Sequence, residues 1–343
     1  MKVVKNELLK VLSLVKPGLA KKEIVEQAAH FIFTGEDVVT FNDQISVMHP
    51  FKSEFPFSVK GDDFYKIVDK ITESEFEITL EDDNLNIKAK KTKAALSTVV
   101  GEAAMILHLV DSLKQEMIGK NFWKALPKDF IDGVYLCAFS AAKDLTTGVR
   151  SCCAIERDAI YTTDNLRISS YIMEAPMDTL LLPAHAALDL IKYKVIEYGV
   201  SENWVHFRTA DGITFNCKTM KGDYPFEAIK GVFVENEPIL TFPSDLKENV
   251  LSIIPLADGD EDTNKCISVS IEKGRIVCKA EKERGWITKT VESDYEGATI
   301  KFLINPVFFC QILSHATAFC IVENRGSFES ENFYHILALP EAG

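Results

Sequence analysis

FSVKGDDFYKIVDKI, residues 57–71, sets the pattern of the whole chain: a short extended run turns directly into an amphipathic helix. Phe64, Ile67, Val68 and Ile71 fall on one face of a 3.6-residue period, while Lys66, Asp69 and Lys70 fall elsewhere. Asp62 puts negative charge in the first turn, where unpaired N–H groups favour it. The same grammar recurs in MKVVKNELLKVLSLV (1–15), WKALPKDFIDGVYLCAFSAA (123–142) and LLLPAHAALDLIKYKV (180–195). It recurs again in ILTFPSDLKENVLSII (239–254) and KFLINPVFFCQILSHA (301–316). Pro127, Pro183, Pro243 and Pro306 stand at the strand-to-helix joint, where a missing N–H costs little. Asp129 supplies another first-turn charge, and Asn305 before Pro306 reads as an N-cap.

With Glu7, Asp62, Asp129, Ala184, Asp245 and Pro306 as markers, the helix starts are separated by 55, 67, 55, 61 and 61 residues. A near-regular period of this kind is the signature of repeated structural units. Each interval leaves ~40 residues beyond the helix for other structure. Those intervals read as strands. Residues 28–50 carry two β-rich runs around Gly35-Glu36-Asp37, and residues 76–99 two or three around Asp82-Asp83-Asn84. Asp211-Gly212 and Lys273-Gly274 sit between alternating runs, which is a hairpin signal. Several strands per helix argue against a parallel α/β sheet. The expected architecture is α+β, with six units of one helix and a small antiparallel meander. Two units per domain give three similar domains, at 1–116, 117–235 and 236–343. DSLKQEMIGKNF (111–122) and KGVFVENEP (230–238) read as polar linkers without helical periodicity.

Composition narrows the function. At 343 residues and 47% hydrophobic the chain can bury a sizeable core. The apolar runs are too short to cross a bilayer and no signal-type stretch follows Lys2 and Lys5, so no membrane role and a cytoplasmic location are expected. Eight cysteines without CxxC or zinc-ligand spacing suggest reduced thiols and no metal. No nucleophile elbow, P-loop, HExxH or dinucleotide-binding loop is present, so no enzyme, no catalytic residue and no cofactor are expected. Glu81-Asp82-Asp83 reads as solvated turn charge, and Asp258, Asp260, Glu261 and Asp262 lack the spacing of a calcium loop. The formal net charge of -13 argues against holding nucleic acid by bulk electrostatics.

Local strings then resemble one family. LPKDFIDGVYLCAFSAAKDLTTGVRSCCAI (126–155) resembles the opening of the second domain of bacterial β sliding clamps, through Leu126-Pro127, Phe139-Ser140 and Asp144. Thr163-Asp164-Asn165-Leu166-Arg167-Ile168 resembles the family's threonine-aspartate-glycine-histidine-arginine-leucine turn, with Asn165 and Leu166 replacing glycine and histidine. Gly222, Tyr224 and Pro225 match its glycine-x-aromatic-proline segment, and Leu96-Ser97-Thr98 a string near the end of its first domain. HILALPEAG (335–343) is similar to its C-terminal strand, with Pro340 in place.

The resemblance implies a processivity factor: two three-domain subunits closed head-to-tail around duplex DNA, helices inside and sheets outside. Topological linkage would reconcile a DNA role with acidity, since only weak, sequence-independent phosphate contacts are needed. The basic residues expected at the lining are Lys10, Lys16, Lys21, Lys22, Lys66, Lys70, Lys143, Arg150, Lys192, Lys194 and Lys247, with Lys192 and Lys194 read as lying on the fourth helix. A pocket for short hydrophobic peptides of polymerase and clamp loader carries over to Thr163, Asn165, Leu166, Arg167, Ile168, Pro225, Ile229, Leu339, Pro340 and Glu341. The homodimer contact falls on Ala94 and Leu96 against Ile253, Ile254 and Leu256. Ala94 stands where the family usually has a bulky aromatic, a loss of packing worth ~3 kcal/mol. The other reading is a clamp-fold scaffold that does not close on DNA.

Overall fold

A computed structural model describes residues 1–22, 27–99, 104–233, 237–259, 264–322 and 324–339. Eight α-helices occur among them: α1 (Lys5–Val15), α2 (Gly61–Lys70), α3 (Ala104–Glu116), α4 (Phe130–Cys137), α5 (Ala184–Leu190), α6 (Phe226–Lys230), α7 (Leu246–Ile253) and α8 (Pro306–Ile312). Six of them begin within two residues of the markers read from the sequence. The stripe expected of α2 lies inward, with Phe64, Val68 and Ile71 buried and Ile67 half-buried. In α4 Phe130, Gly133, Val134 and Cys137 face inward, and a Cβ on Gly133 would come 2.5 Å from the Tyr171 ring. Asn305 caps α8 as expected, its Oδ1 accepting from the N–H groups of Val307 at 2.9 Å and Phe308 at 3.1 Å.

The strands are joined by antiparallel pairings throughout the described residues, so the α+β reading holds. The chain forms two compact units. The first comprises Met1–Lys128 with His185–Met220, and the second Asp129–Ala184 with Lys221–Gly343. Residues 117–235 contribute to both units. Shared ladders are the physical reason. In the first unit Thr214–Cys217 pairs with Ile45–Met48. In the second, Arg167–Tyr171 pairs with Phe333–Leu337.

The first unit carries a 12-stranded sheet, with α1 and α2 packed side by side. Lys5 Nζ donates to the Asp69 and Ile71 carbonyls at 2.9 and 2.6 Å, satisfying the end of α2. The expected linker at 111–122 is a correction: its first half is the end of α3. Ile106, Val110 and Leu113 follow a helical stripe and bury against Ile32, Val39, Phe41, Met48 and Trp204. Lys192 and Lys194 are a second correction, lying beyond the end of α5 rather than on it. Beyond the helix the chain turns, Tyr193 N–H donating to the Leu190 carbonyl at 3.0 Å, and the Tyr193 ring packs on Phe215 at 5.2 Å while its hydroxyl donates to the Leu14 carbonyl.

The second unit holds a six-stranded sheet and a four-stranded sheet, with α7 packed on α8. Phe242, Phe309, Phe319 and Phe328 form its aromatic centre, with ring centroids 5.1–6.3 Å apart. All eight cysteines are free thiols, seven of them buried. No helix among the described residues is long and apolar enough to cross a membrane.

Candidate partner-binding groove

The strands Cys152–Thr163 and Arg167–Pro183 are joined by a tight hairpin built from short polar side chains. Asp164 Oδ1 accepts from the N–H groups of Leu166 at 3.0 Å and Arg167 at 3.1 Å, while Thr163 Oγ1 accepts from Asn165 N–H at 3.1 Å. Asn165 has φ 74°, in the left-handed region that glycine and asparagine occupy most readily. The departure from glycine is therefore tolerated by the backbone. At the tip, Leu166 is 58% exposed, an apolar side chain held out in solvent by a rigid turn.

Behind the tip, Arg167 is 3% exposed. Its Nε donates to Asp164 Oδ2 at 3.0 Å, Nη1 to Gln311 Oε1 at 2.7 Å and Nη2 to the Phe139 carbonyl at 2.7 Å. The guanidinium also lies 4.0 Å from the centroid of the Phe308 ring. Burial pulls its pKa down and the Asp164 carboxylate opposes that shift.

The other wall comes from the segment around α6. Tyr224 is buried against Phe226, centroids 4.9 Å apart, and Phe226 reaches Tyr161 at 6.0 Å. Lys230 bridges to Glu156 at 2.5 Å and to Glu227 at 3.1 Å, and these partners raise its pKa to about 12.

Between the walls lies an open groove of about 340 Å³. Thr163, Asn165, Leu166, Arg167, Ile168, Pro225 and Ile229, singled out from the sequence, all line it. Ala228, Val232, Arg325, Ile336 and Ala338 complete it and were not singled out. Their signal was faint: Ile336 and Ala338 share a strand face, and Arg325 stands opposite Ala338 across the ladder. A second hollow of about 300 Å³ shares Asn165, Leu166 and Ala338, and adds Cys266, Leu303, Ile304, Asn305, Phe308 and Leu337. Leu339 is a correction. It is 2% exposed, its N–H donates to the Asn324 carbonyl at 2.7 Å, and its side chain fills the space over Gly326 rather than the groove. Pro340 and Glu341 lie outside the described residues.

The other candidates are scattered. Lys10, Lys16, Lys21, Lys22, Lys66, Lys70, Lys143, Lys192 and Lys194 are exposed, and Arg150 and Lys247 half-buried. Lys192 is paired with Asp189 at 2.5 Å, and Lys16 lies 5.0 Å from the Tyr65 ring. Ala94 and Leu96 are half-exposed on the strand Lys93–Val99, which pairs with Asn84–Lys88 on one side. On its other side only Thr98 and Val99 are paired among the described residues, which leaves the stretch 93–97 without a ladder partner there. Ile254 and Leu256 are half-exposed after α7, but Ile253 belongs to the buried stripe with Leu246 and Val250 and serves the core. No cluster of three or more potential metal ligands occurs among the described residues.

No family model matches the sequence, and no curated protein matches it. Solved structures do. A DnaN sliding clamp (DNA polymerase III subunit beta) from Bartonella birtlesii, bound to griselimycin, is 14% identical with TM-score 0.81, covering 100% of this chain and 99% of that one. Its Pseudomonas aeruginosa counterpart, also bound to griselimycin, is 14% identical with TM-score 0.80 and the same coverage. The DNA polymerase III beta chain of Streptococcus pneumoniae is 14% identical with TM-score 0.79, covering 99% of each chain. Over its whole length, this chain has the fold of the bacterial DNA polymerase III beta sliding clamps.

Proposed function

We propose that the protein is a DNA sliding clamp, a non-enzymatic processivity factor that encircles duplex DNA and tethers a polymerase. The observation that carries this reading is the full-length match to clamp structures together with the groove. Seven residues chosen from the clamp resemblance converge on one apolar hollow. Apolar walls with a few fixed polar groups suit a short hydrophobic peptide from polymerase or clamp loader. The repeat supports three domains, 1–116, 117–235 and 236–343, each of two helix-and-meander units.

Ring closure needs a second copy. The strand stretch 93–97 and the half-exposed Ile254 and Leu256 are the surfaces for a head-to-tail homodimer. Sedimentation equilibrium at tens of micromolar should give a dimer. Leu96→Lys, on a half-exposed side chain, should shift it toward monomer without changing the fold. A wild-type monomer at that concentration would favour the scaffold reading instead.

A further inference from the structure

We infer that α3 is a brace: its last turn is anchored on both sides of one seam in the 12-stranded sheet, so that seam and helix open together. The inference goes beyond the clamp reading and holds whether or not the chain closes into a ring. α3 is not one of the six repeated helices, and it lies on the other face of the sheet from α1. Along the strand Asp37–Phe41, Val39 and Phe41 pack with Ile106, Val110 and Leu113 of α3. Thr40, between them and pointing the opposite way, donates its hydroxyl to the Val15 carbonyl of α1.

The seam is the pairing of Ile45–Met48 with Thr214–Cys217, where strands that precede α3 in the chain meet strands that follow it. The α3 stripe covers both sides. Ile32, Val39, Phe41 and Met48 come from before the helix and Trp204 from after it, with the Phe41 and Trp204 rings 6.0 Å apart. Polar anchors then pull both ways from the helix end. Lys114 Nζ reaches back to Asp37 Oδ2 at 2.9 Å. Glu116 Oε2 accepts from Ser201 Oγ, in the turn between Val195–Val200 and Trp204–Thr209. Ser201 Oγ lies 3.0 Å from His206 Nε2, and His206 Nδ1 lies 2.8 Å from Asn216 Oδ1. Asn216 Nδ2 donates to the Ser46 carbonyl at 3.2 Å, which carries the chain of contacts from Glu116 back across the seam. His206 and Asn216 are fully buried, so their polar atoms depend on these partners. A brace works only while both ends hold: losing either anchor leaves the seam unbraced.

The test is amide exchange on the full chain, read by mass spectrometry, for Lys114→Ala, Glu116→Ala and the double variant. Alanine keeps helix propensity high, so α3 itself should persist. Each single substitution should speed exchange at 45–48 and 214–217 about three-fold, the range of a partly exposed ion pair. The double variant should be no faster than the faster single one, because all three lack the same brace. The ladder between Ile267–Glu272 and Arg275–Lys282, in the second unit, should stay unchanged. Single effects that multiply in the double variant would make the anchors separate local contacts and overturn the inference. So would a change confined to 106–116, or a seam that exchanges as in the wild type in every variant.

Discussion

Arg167 lines the groove as expected, and its guanidinium is at the same time held by groups of its own chain. Sequence displays a charge but not its partners, and here they come from the Phe139 carbonyl, Gln311 and Phe308, far along the chain. Its role is to lock the hairpin that presents Leu166. Arg167→Ala should therefore cost about 3 kcal/mol, because it strands Asp164, Gln311 and a buried carbonyl. Arg167→Lys should restore little, since an ammonium cannot reproduce the planar fork. Chemical denaturation of the three proteins measures both outcomes. A loss under 1 kcal/mol for the alanine variant would mean the clasp is not what holds the hairpin. Leu339 taught the same lesson in reverse: it was assigned to the groove, and Gly326 and Asn324 hold it in the core.

At the scale of elements, most of the fold was legible. Six helices announced themselves through a 3.6-residue apolar period with proline or acidic residues at the start, and the hairpins through Asp-Gly and Lys-Gly turns. What stayed hidden had physical causes. The stripe of α3 ends in a polar run that resembles a linker, and α6 spans five residues, less than two helical turns. The ladder between Arg167–Tyr171 and Phe333–Leu337 was also invisible, because long-range pairing leaves no local pattern. That ladder buries a histidine. His335 Nδ1 lies 2.8 Å from Ser169 Oγ, which is 2.7 Å from Ser140 Oγ. Burial, with Arg167 and His315 nearby, pushes the imidazole well below its ordinary 6.5. A histidine whose folded pKa is depressed stays neutral while the unfolded chain takes up a proton. Its contribution is intact above about pH 6.5 and is lost as pH falls below that value, by up to ~1.4 kcal/mol per unit until the folded pKa is reached. Amide exchange in 167–171 and 333–337 should thus lose protection between pH 6.5 and 5 beyond the intrinsic rate change. His335→Asn should flatten that dependence, and an unchanged slope would assign the acid sensitivity to other buried histidines.

At the scale of the whole molecule, the question is how a protein of net charge -13 could stay on DNA. Exposed lysines recur on or just after the helices of both units, including Lys10, Lys66, Lys70 and Lys143, and no base-reading motif accompanies them. Contacts of this kind bind any duplex weakly, and they fade as salt displaces them. A closed ring needs no more, because linkage is topological and independent of counterions. The two mechanisms separate cleanly in experiment. Free protein should bind a short linear duplex weakly, with a steep salt dependence. Lys66→Gln with Lys70→Gln should weaken that binding and reduce the slope without affecting the fold, since both side chains are exposed on α2. Protein loaded onto a closed circle should survive high salt, and linearising the circle should release it from unblocked ends. Retention on the linear product, or loss from the intact circle in salt, would leave the clamp fold in place and remove the ring mechanism. The chain would then act as a scaffold that uses the same groove without encircling anything.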